Sequence, residues 1–151
     1  KALYFDGIDD NLKCAFNLVQ PYTLYVFVNA DVGSSQFIFD GFTNQNIIRL
    51  DNTIPPTLQA NAGNNVRGSV AGGQNIFSVK FNQNDSQVSN SLGTTLGNIG
   101  NTQAGGITLF GRFSNPEKAL GYFLGLEIFP YAHNQYTIDK TLKNLQKQYG
   151  A

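Results

Sequence analysis

Short runs of alternating apolar and polar residues follow one another along most of the chain, and each run ends in a turn-forming cluster. In Tyr22–Ala30 both sets of alternate positions are largely apolar, which predicts a strand buried on both faces. In Asn75–Phe81, Phe77 and Val79 alternate with Ser78 and Lys80, which predicts a half-exposed strand. Further strands are predicted at Ala2–Phe5, Leu12–Leu18, Gln36–Phe42, Ile47–Leu50, Thr57–Ala60, Val66–Val70, Gln87–Val88, Ile107–Arg112 and Tyr122–Phe129.

A helical period appears once, near the end of the chain. Ile138, Leu142, Leu145 and Tyr149 fall on one stripe, which predicts a helix at Ile138–Gln148. Thr137 is the predicted N-cap and Gly150 the stop. We expect this helix to lie as a lid on a sheet edge or at the end of the folded domain.

This succession of about ten strands and one helix predicts a fold class. A parallel α/β fold requires repeated crossover helices, whereas many short strands with turns between them are typical of a sandwich or barrel. We therefore predict an all-β, two-sheet antiparallel sandwich with one short C-terminal helix, forming a single domain over residues 1–151.

Composition supports a packed core and excludes one class of partner. Apolar residues make up 41% of the chain, with 12 Phe and 7 Tyr, while charged residues make up only 13%. Ten basic residues balance ten acidic ones, so the chain lacks the excess positive charge with which a nucleic-acid binder neutralises phosphates. No stretch approaches the roughly 20 apolar residues of a membrane-spanning helix, so we expect no membrane insertion.

Catalytic patterns are missing from the sequence, and we predict that the protein is not an enzyme. Glycosidases need two carboxylates held about 5–9.5 Å apart, whereas the adjacent Asp9 and Asp10 of an extended chain point to opposite faces. His133 is the only histidine, no nucleophile elbow accompanies it, and we place it in a loop. Cys14 has no partner for a disulfide and is predicted to be a small buried hydrophobe.

The two ends of the chain carry a family resemblance. The opening motif runs from Phe5 to Asp10 as Phe-Asp-Gly-x-Asp-Asp, and the closing strand carries Gly125 and Glu127 before a helix that finishes in Tyr149-Gly150. Together they resemble the laminin-G-like branch of the concanavalin A-like lectin/glucanase superfamily. The resemblance implies a jelly-roll sandwich whose usual work is adhesion or glycan binding.

Two further segments narrow the implied setting. QPYTLYVFVNAD, after the opening motif, and LQKQYG, at the tail, are similar to domains of phage and bacterial surface proteins. The resemblance implies a non-catalytic adhesion or carbohydrate-binding module on a virion, as a phage fibre or capsid decoration, or on a bacterial surface. The alternative is a structural decoration domain that binds neighbouring virion or surface proteins and no sugar. We expect an extracellular or virion-surface domain, excised from or displayed on a larger assembly.

Loops rich in carboxamides are the candidate ligand-binding segments, because amides can hydrogen-bond sugar hydroxyls. One cluster comprises Asn61, Asn64, Asn65 and Arg67. The other comprises Asn98–Gln103, in particular Asn101 and Gln103, together with Arg112. The alternative is that these loops only keep a sandwich of low charge soluble.

Acidic residues near the start are the candidate metal ligands. The resemblance implies calcium, which prefers hard oxygen donors, held by Asp6, Asp9 and Asp10. Glu127 is expected to join them when the two ends of the chain pair. The alternative is structural: the Asp6 carboxylate caps backbone amides of its own turn. No other cofactor is expected.

Overall fold

Two antiparallel sheets, each of six strands, form the body of the protein in a computed structural model that describes residues 2–30, 34–71, 73–112 and 118–149. The strands are β1 (Leu3–Asp6), β2 (Leu12–Ala15), β3 (Tyr22–Ala30), β4 (Gln36–Asp40), β5 (Ile47–Asp51), β6 (Thr57–Asn61), β7 (Asn65–Ser69), β8 (Gly73–Phe81), β9 (Ser86–Asn90), β10 (Gly93–Gly97), β11 (Gly106–Leu109) and β12 (Leu120–Phe129). The first sheet has the order β1-β12-β3-β8-β9-β10 and the second β2-β11-β4-β5-β6-β7. This arrangement confirms the predicted all-β, two-sheet antiparallel sandwich with a C-terminal helix.

The core lies between the two sheets and is rich in aromatic rings. Tyr22 stacks on Phe81 with 4.7 Å between ring centroids, and Phe5 stacks on Phe110 at 4.4 Å. The Tyr22 hydroxyl, fully buried, donates a hydrogen bond of 2.8 Å to Asn46 Oδ1. These contacts satisfy a buried polar group while the rings fill the space between the sheets.

The helix α1 (Gln135–Tyr149) lies on the outer face of the first sheet. Its buried stripe of Ile138, Leu142 and Leu145 packs against Tyr25 and Phe27 of β3 and against Ile76 of β8. The prediction of a lid at a sheet edge or at the sandwich end is therefore wrong. The period of the helix reveals an apolar stripe, but not the surface that the stripe will cover.

The position of the helix explains the burial of two central strands. β3 is buried on both faces, as its sequence predicts, because the core covers one face and the helix the other. β8 was predicted to be half exposed, and this is wrong: Ser78 is fully buried and Lys80 is 5% exposed. Lys80 keeps its charge near the surface through Asp85, whose carboxylate lies 3.0 Å from its Nζ.

The helix begins earlier than predicted. Asn134 caps it, since Asn134 Oδ1 accepts a hydrogen bond of 2.8 Å from the Thr137 backbone N–H. Thr137 is therefore the third helical residue and not the N-cap. The predicted stop, Gly150, lies outside the described residues. No helix in the described part of the chain is long and apolar enough to cross a membrane.

Two edge strands also depart from the sequence expectations. β10 was not predicted, because Leu96 is the one apolar side chain in Gly93–Gly97 and no alternation is visible. β2 ends at Ala15 and all four of its residues are exposed. Cys14 is therefore exposed, and its predicted burial is wrong. A strand at the end of a sheet can alternate like a buried one although no neighbouring element covers it.

Candidate functional site

A row of four side chains crosses the outer face of the second sheet. The strands pair in register so that Phe37 lies opposite Arg49, Arg49 opposite Gln59, and Gln59 opposite Arg67. Their sequence neighbours Ile48, Leu58 and Val66 fill the core, which places the row on the opposite face. We call Phe37, Arg49, Gln59 and Arg67 the arginine row.

Hydrogen bonds hold the row in place. Arg49 Nη2 and Arg67 Nη2 each donate to Gln59 Oε1 at 3.0 Å. Gln59 Nε2 in turn donates to Asn65 Oδ1 at 2.6 Å, and Asn61 Nδ2 donates to the same oxygen at 2.7 Å. One glutamine thus joins two guanidinium groups to the amides of the β6–β7 turn.

Asp51 distinguishes the two arginines. Its buried carboxylate lies 2.6 Å from Arg49 Nε and accepts a hydrogen bond of 3.2 Å from Arg49 Nη2, whereas Arg67 Nη2 is 4.0 Å away. The Arg49 side chain is 28% exposed and the Arg67 side chain 52%. Arg49 is therefore fixed by the protein, while Arg67 presents much of its guanidinium to solvent.

All three arginines of the chain gather on this face. The guanidinium carbons of Arg49 and Arg112 lie 5.4 Å and 5.2 Å from the centroid of the Phe37 ring, a cation–π geometry. Phe37 is only 5% exposed, so its ring supports the arginines and is not a platform for a ligand. Arg49 and Arg67 share the carboxylate of Asp51, so two guanidinium groups meet one carboxylate on this face.

A second polar feature lies where three loops meet. A depression of about 270 Å³ is lined by Asn64, Gln83, Asn84, Asn98, Gly100 and Asn101, and we call it the amide cup. Asn98 Nδ2 donates to Asn84 Oδ1 at 2.5 Å, and Gly100 N donates to Asn98 Oδ1 at 2.8 Å. Apart from Gly100, every lining residue carries a carboxamide.

The structure regroups the predicted ligand-binding residues. From the first predicted cluster, Arg67, Asn61 and Asn65 belong to the arginine row and its hydrogen bonds, while Asn64 lines the amide cup. From the second, Asn101 lines the cup.

The remaining two residues of that second cluster have other positions. The guanidinium of Arg112 lies over the ring of Phe37, which is a member of the arginine row. Gln103 lies beneath the loops, where its Oε1 accepts a hydrogen bond from the Gln20 backbone N–H and supports the fold.

The predicted metal ligands are only partly brought together. Oxygen atoms of Asp6, Asp9 and Asp10 lie within 4.8 Å of one another on exposed side chains, and these hard donors suit calcium. Asp6 Oδ1 also accepts a hydrogen bond of 2.8 Å from the Ile8 N–H, as expected for a turn-capping carboxylate. The expectation for Glu127 is wrong: Asp6 pairs with Leu120, and Glu127 lies seven residues farther along β12, opposite Tyr25.

Several residues of the site were not predicted from the sequence. Arg49, Asp51 and Gln59 occupy alternate positions of two strands, so the sequence does place each of them on an outer face. Their meeting depends on the register between strands, which no local pattern reveals. Gln83 and Asn84 reach the cup only because the turn after β8 folds beside the 98–101 loop.

Comparison with known proteins shows the fold. No protein-family profile and no curated protein matches the sequence. Among solved structures, a heptameric SAP-like pentraxin from Limulus polyphemus is similar over 92% of this chain and 80% of its own, with 14% identity and a TM-score of 0.75. The carbohydrate-binding module CBM40 of the Ruminococcus gnavus IT-sialidase, bound to α2,3-sialyllactose, is similar over 93% of this chain and 97% of its own, with 10% identity and a TM-score of 0.62.

A third neighbour is a whole enzyme of which this chain spans only a part. Trypanosoma rangeli sialidase is similar over 97% of this chain but 28% of its own, with 11% identity and a TM-score of 0.71. At such identities the likeness concerns the fold alone. The chain has the fold of a two-sheet antiparallel jelly-roll sandwich, which confirms that part of the sequence interpretation.

Proposed function

We propose that this domain is a non-catalytic carbohydrate-binding module whose glycan lies on the arginine row. The observation that carries the proposal is the row itself, in which two guanidinium groups and an amide network are aligned on the outer face of the second sheet. Structural neighbours support the ligand class, because CBM40 of similar fold has been solved with sialyllactose. The fold is shared with unrelated functions, so the site residues have to account for the binding.

The chemistry of the row favours a sugar that carries a carboxylate. A guanidinium offers five N–H donors in a planar fork that matches a carboxylate, and the described contacts of Arg67 use its Nη2 alone. An acidic sugar can therefore bind Arg67 without breaking the Arg49–Asp51 pair. The carboxamides of Asn61 and Asn65, beside Arg67, can form hydrogen bonds with the sugar hydroxyls.

We also propose the setting in which the module works. The segment QPYTLYVFVNAD and the tail LQKQYG resemble phage and bacterial surface domains, which supports adhesion at a virion or cell surface and an extracellular location. The low content of charged residues agrees with a surface built from neutral amides.

A titration with α2,3-sialyllactose tests the proposal. Isothermal calorimetry should detect binding to the wild type, and Arg67→Ala should weaken it at least tenfold because the exposed guanidinium is lost. Lys143→Ala, which removes a positive charge from the exposed face of the helix, is the matched control and should bind normally. Equal affinities of the wild type and Arg67→Ala would overturn the assignment to the row.

One observation favours the alternative, a domain that binds protein neighbours. β1 and β2 end their sheets on the same side of the sandwich, since β7 and β10 contact each other at the other side. We call the β1/β2 side the open side. Large apolar residues are exposed there, in β1 and the turn after it, in β2 and the segment after it, and at the start of β12: Leu3, Tyr4, Ile8, Leu12, Phe16, Val19, Leu120 and Tyr122.

Such an exposed apolar side with unpaired edges is typical of an interaction surface. If the domain assembles with copies of itself through this side, sedimentation velocity should show association that increases with concentration. Leu12→Lys should abolish that association and leave sialyllactose binding unchanged. A monomer at every concentration would argue against self-assembly through the open side.

A further inference from the structure

We infer that the amide cup is a second glycan subsite, one that takes a neutral sugar. The inference rests on the proposed function in one respect, namely that the ligand of the domain is a glycan. The cup shares none of the residues of the arginine row, so glycan binding at the two sites can be tested separately.

The size of the cup suits a single sugar unit. Its volume of about 270 Å³ lies just below the range of roughly 300–1,000 Å³ that is usual for pockets of drug-sized molecules. Its walls come from three separate segments, the β6–β7 turn at Asn64, the short turn Gln83–Asp85, and the loop from Asn98 to Asn101.

The lining is neutral and rich in both kinds of hydrogen-bonding group. Each carboxamide offers two N–H donors and a carbonyl acceptor, which can pair with neighbouring hydroxyls of a sugar. No lining residue carries a charge, so nothing in the cup would compensate the desolvation of an acidic group. This lining distinguishes the cup from the arginine row.

Three of the carboxamides are available to a ligand. The side chains of Asn64, Gln83 and Asn101 are exposed and form no hydrogen bond with any other described residue. Their polar atoms therefore bind water in the free protein. A sugar that replaces this water regains the hydrogen bonds without breaking any contact within the protein.

The backbone beneath the cup is fixed in advance. Gln20 Nε2 donates to the carbonyls of Gly100 and Thr102 at 3.2 and 3.1 Å, and Gln20 Oε1 accepts from the Gln83 N–H at 3.0 Å. Gly100 has φ +93°, and a Cβ there would lie 2.1 Å from the Ala62 carbonyl oxygen. A floor held in this way lowers the ordering cost of binding.

The β6–β7 turn connects the cup with the arginine row. Asn64 faces the cup, and its neighbour Asn65 accepts the hydrogen bond from Gln59 of the row. Two successive residues of this segment thus contact different sites, one lining the cup and the other hydrogen-bonded to the row.

Nuclear magnetic resonance of side-chain NH₂ groups tests the inference on the intact domain. On titration with lactose, and separately with cellobiose, the NH₂ signals of Asn64, Gln83 and Asn101 should shift in a saturable manner. The double variant Asn64→Ala/Asn101→Ala should weaken the binding at least tenfold. Asn144→Ala, on the exposed face of the helix, is the matched control and should bind like the wild type.

The outcomes separate the two sites. Saturable shifts at the cup support the inference even if Arg67→Ala leaves sialyllactose binding unchanged. In that case glycan binding at the arginine row is rejected and sugar binding at the cup is retained. If neither disaccharide shifts the cup signals, the inference is overturned, and binding of sialyllactose that depends on Arg67 would still support the proposed function. The wild-type titration gives this answer even if the double variant does not fold.

Discussion

At the scale of single residues, Gln59 is the group on which the arginine row depends. It is 7% exposed, and its Oε1 is the shared acceptor of two guanidinium groups. Replacing it by an apolar side chain leaves these donors without this acceptor and removes one of the two hydrogen bonds to Asn65 Oδ1. The row would then lose both its geometry and part of its contribution to stability.

We therefore predict that Gln59→Leu lowers the free energy of unfolding by about 1–2 kcal/mol, as expected when charged donors lose a partly buried acceptor. It should also weaken sialyllactose binding, since Arg67 is no longer held. Urea denaturation and calorimetry measure the two effects. Gln45→Leu, at an exposed loop position, should change neither, and equal behaviour of both variants would show that Gln59 does not organise the row.

We predict that His133 makes stability depend on pH near neutrality. It is 8% exposed, its Nδ1 lies 2.8 Å from Tyr25 Oη, and burial lowers its pKa from the ordinary value. The unfolded chain therefore binds a proton near pH 6.5, whereas the folded protein binds it only at a lower pH. Stability should be full above about pH 6.5 and fall as the pH decreases toward the folded-state pKa.

Urea denaturation at pH 7.5 and 5.5 measures this dependence. His133 is the only histidine, so His133→Gln should remove most of the difference between the two pH values. An equal loss of stability in the wild type and in His133→Gln would assign the pH dependence to other groups.

At the scale of elements, the helix α1 stabilises the first sheet by covering its outer face. Leu142 is 5% exposed and belongs to the stripe that packs on β3 and β8. We expect Leu142→Ala to lower the free energy of unfolding by about 2–5 kcal/mol, because it leaves a cavity against the sheet. Urea denaturation measures this loss, with Lys143→Ala on the exposed face of the helix as the control. Equal changes of stability in the two variants would contradict the role of the buried stripe.

The same elements show how far the sequence predicts the fold. The alternation in Tyr22–Ala30 predicts a strand buried on both faces, and its bounds are those of β3. Lys80 shows the limit, since its polar side chain predicts exposure although the side chain is buried and pairs with Asp85. Local patterns predict most of the strands and the helix, but they do not determine which element covers another.

The candidate site was predictable to a smaller extent, for the same reason. Asn64 and Asn101 could be selected as loop amides, yet only the folded chain brings them into one cup. Arg49 and Gln59 are ten residues apart and meet through the β5–β6 register. Glu127 was placed beside Asp6 because the two end strands were expected to pair, and they do pair, but the register separates these residues.

At the scale of the whole molecule, the sandwich separates its surfaces. The helix covers the outer face of the first sheet, and the arginine row lies on the outer face of the second, so the two are on opposite sides of the core. The open side, formed by β1 and β2, is a third surface. A ligand on the row therefore leaves the helix and the open side available, which is why helix variants serve as controls.

The cluster of Asp6, Asp9 and Asp10 lies beside the open side, at the end of β1 and in the turn that follows it, and calcium binding there remains a prediction. If calcium binds the folded state selectively, its addition should raise the melting temperature and a chelator should lower it. Asp10→Asn should abolish the effect, while Asp139→Asn on the helix should preserve it. Identical melting curves with calcium and with chelator would exclude a stabilising site.

The most direct test of the central claim uses the arginine side chains themselves. The chain has three arginines, so the Nε–H region of a ¹⁵N correlation spectrum contains at most three assignable signals. Titration with α2,3-sialyllactose should shift the signals of Arg67 and Arg49 in a saturable manner, and lactose, which lacks the carboxylate, should leave both unchanged. Unshifted arginine signals throughout the sialyllactose titration would contradict the assignment of glycan binding to the arginine row.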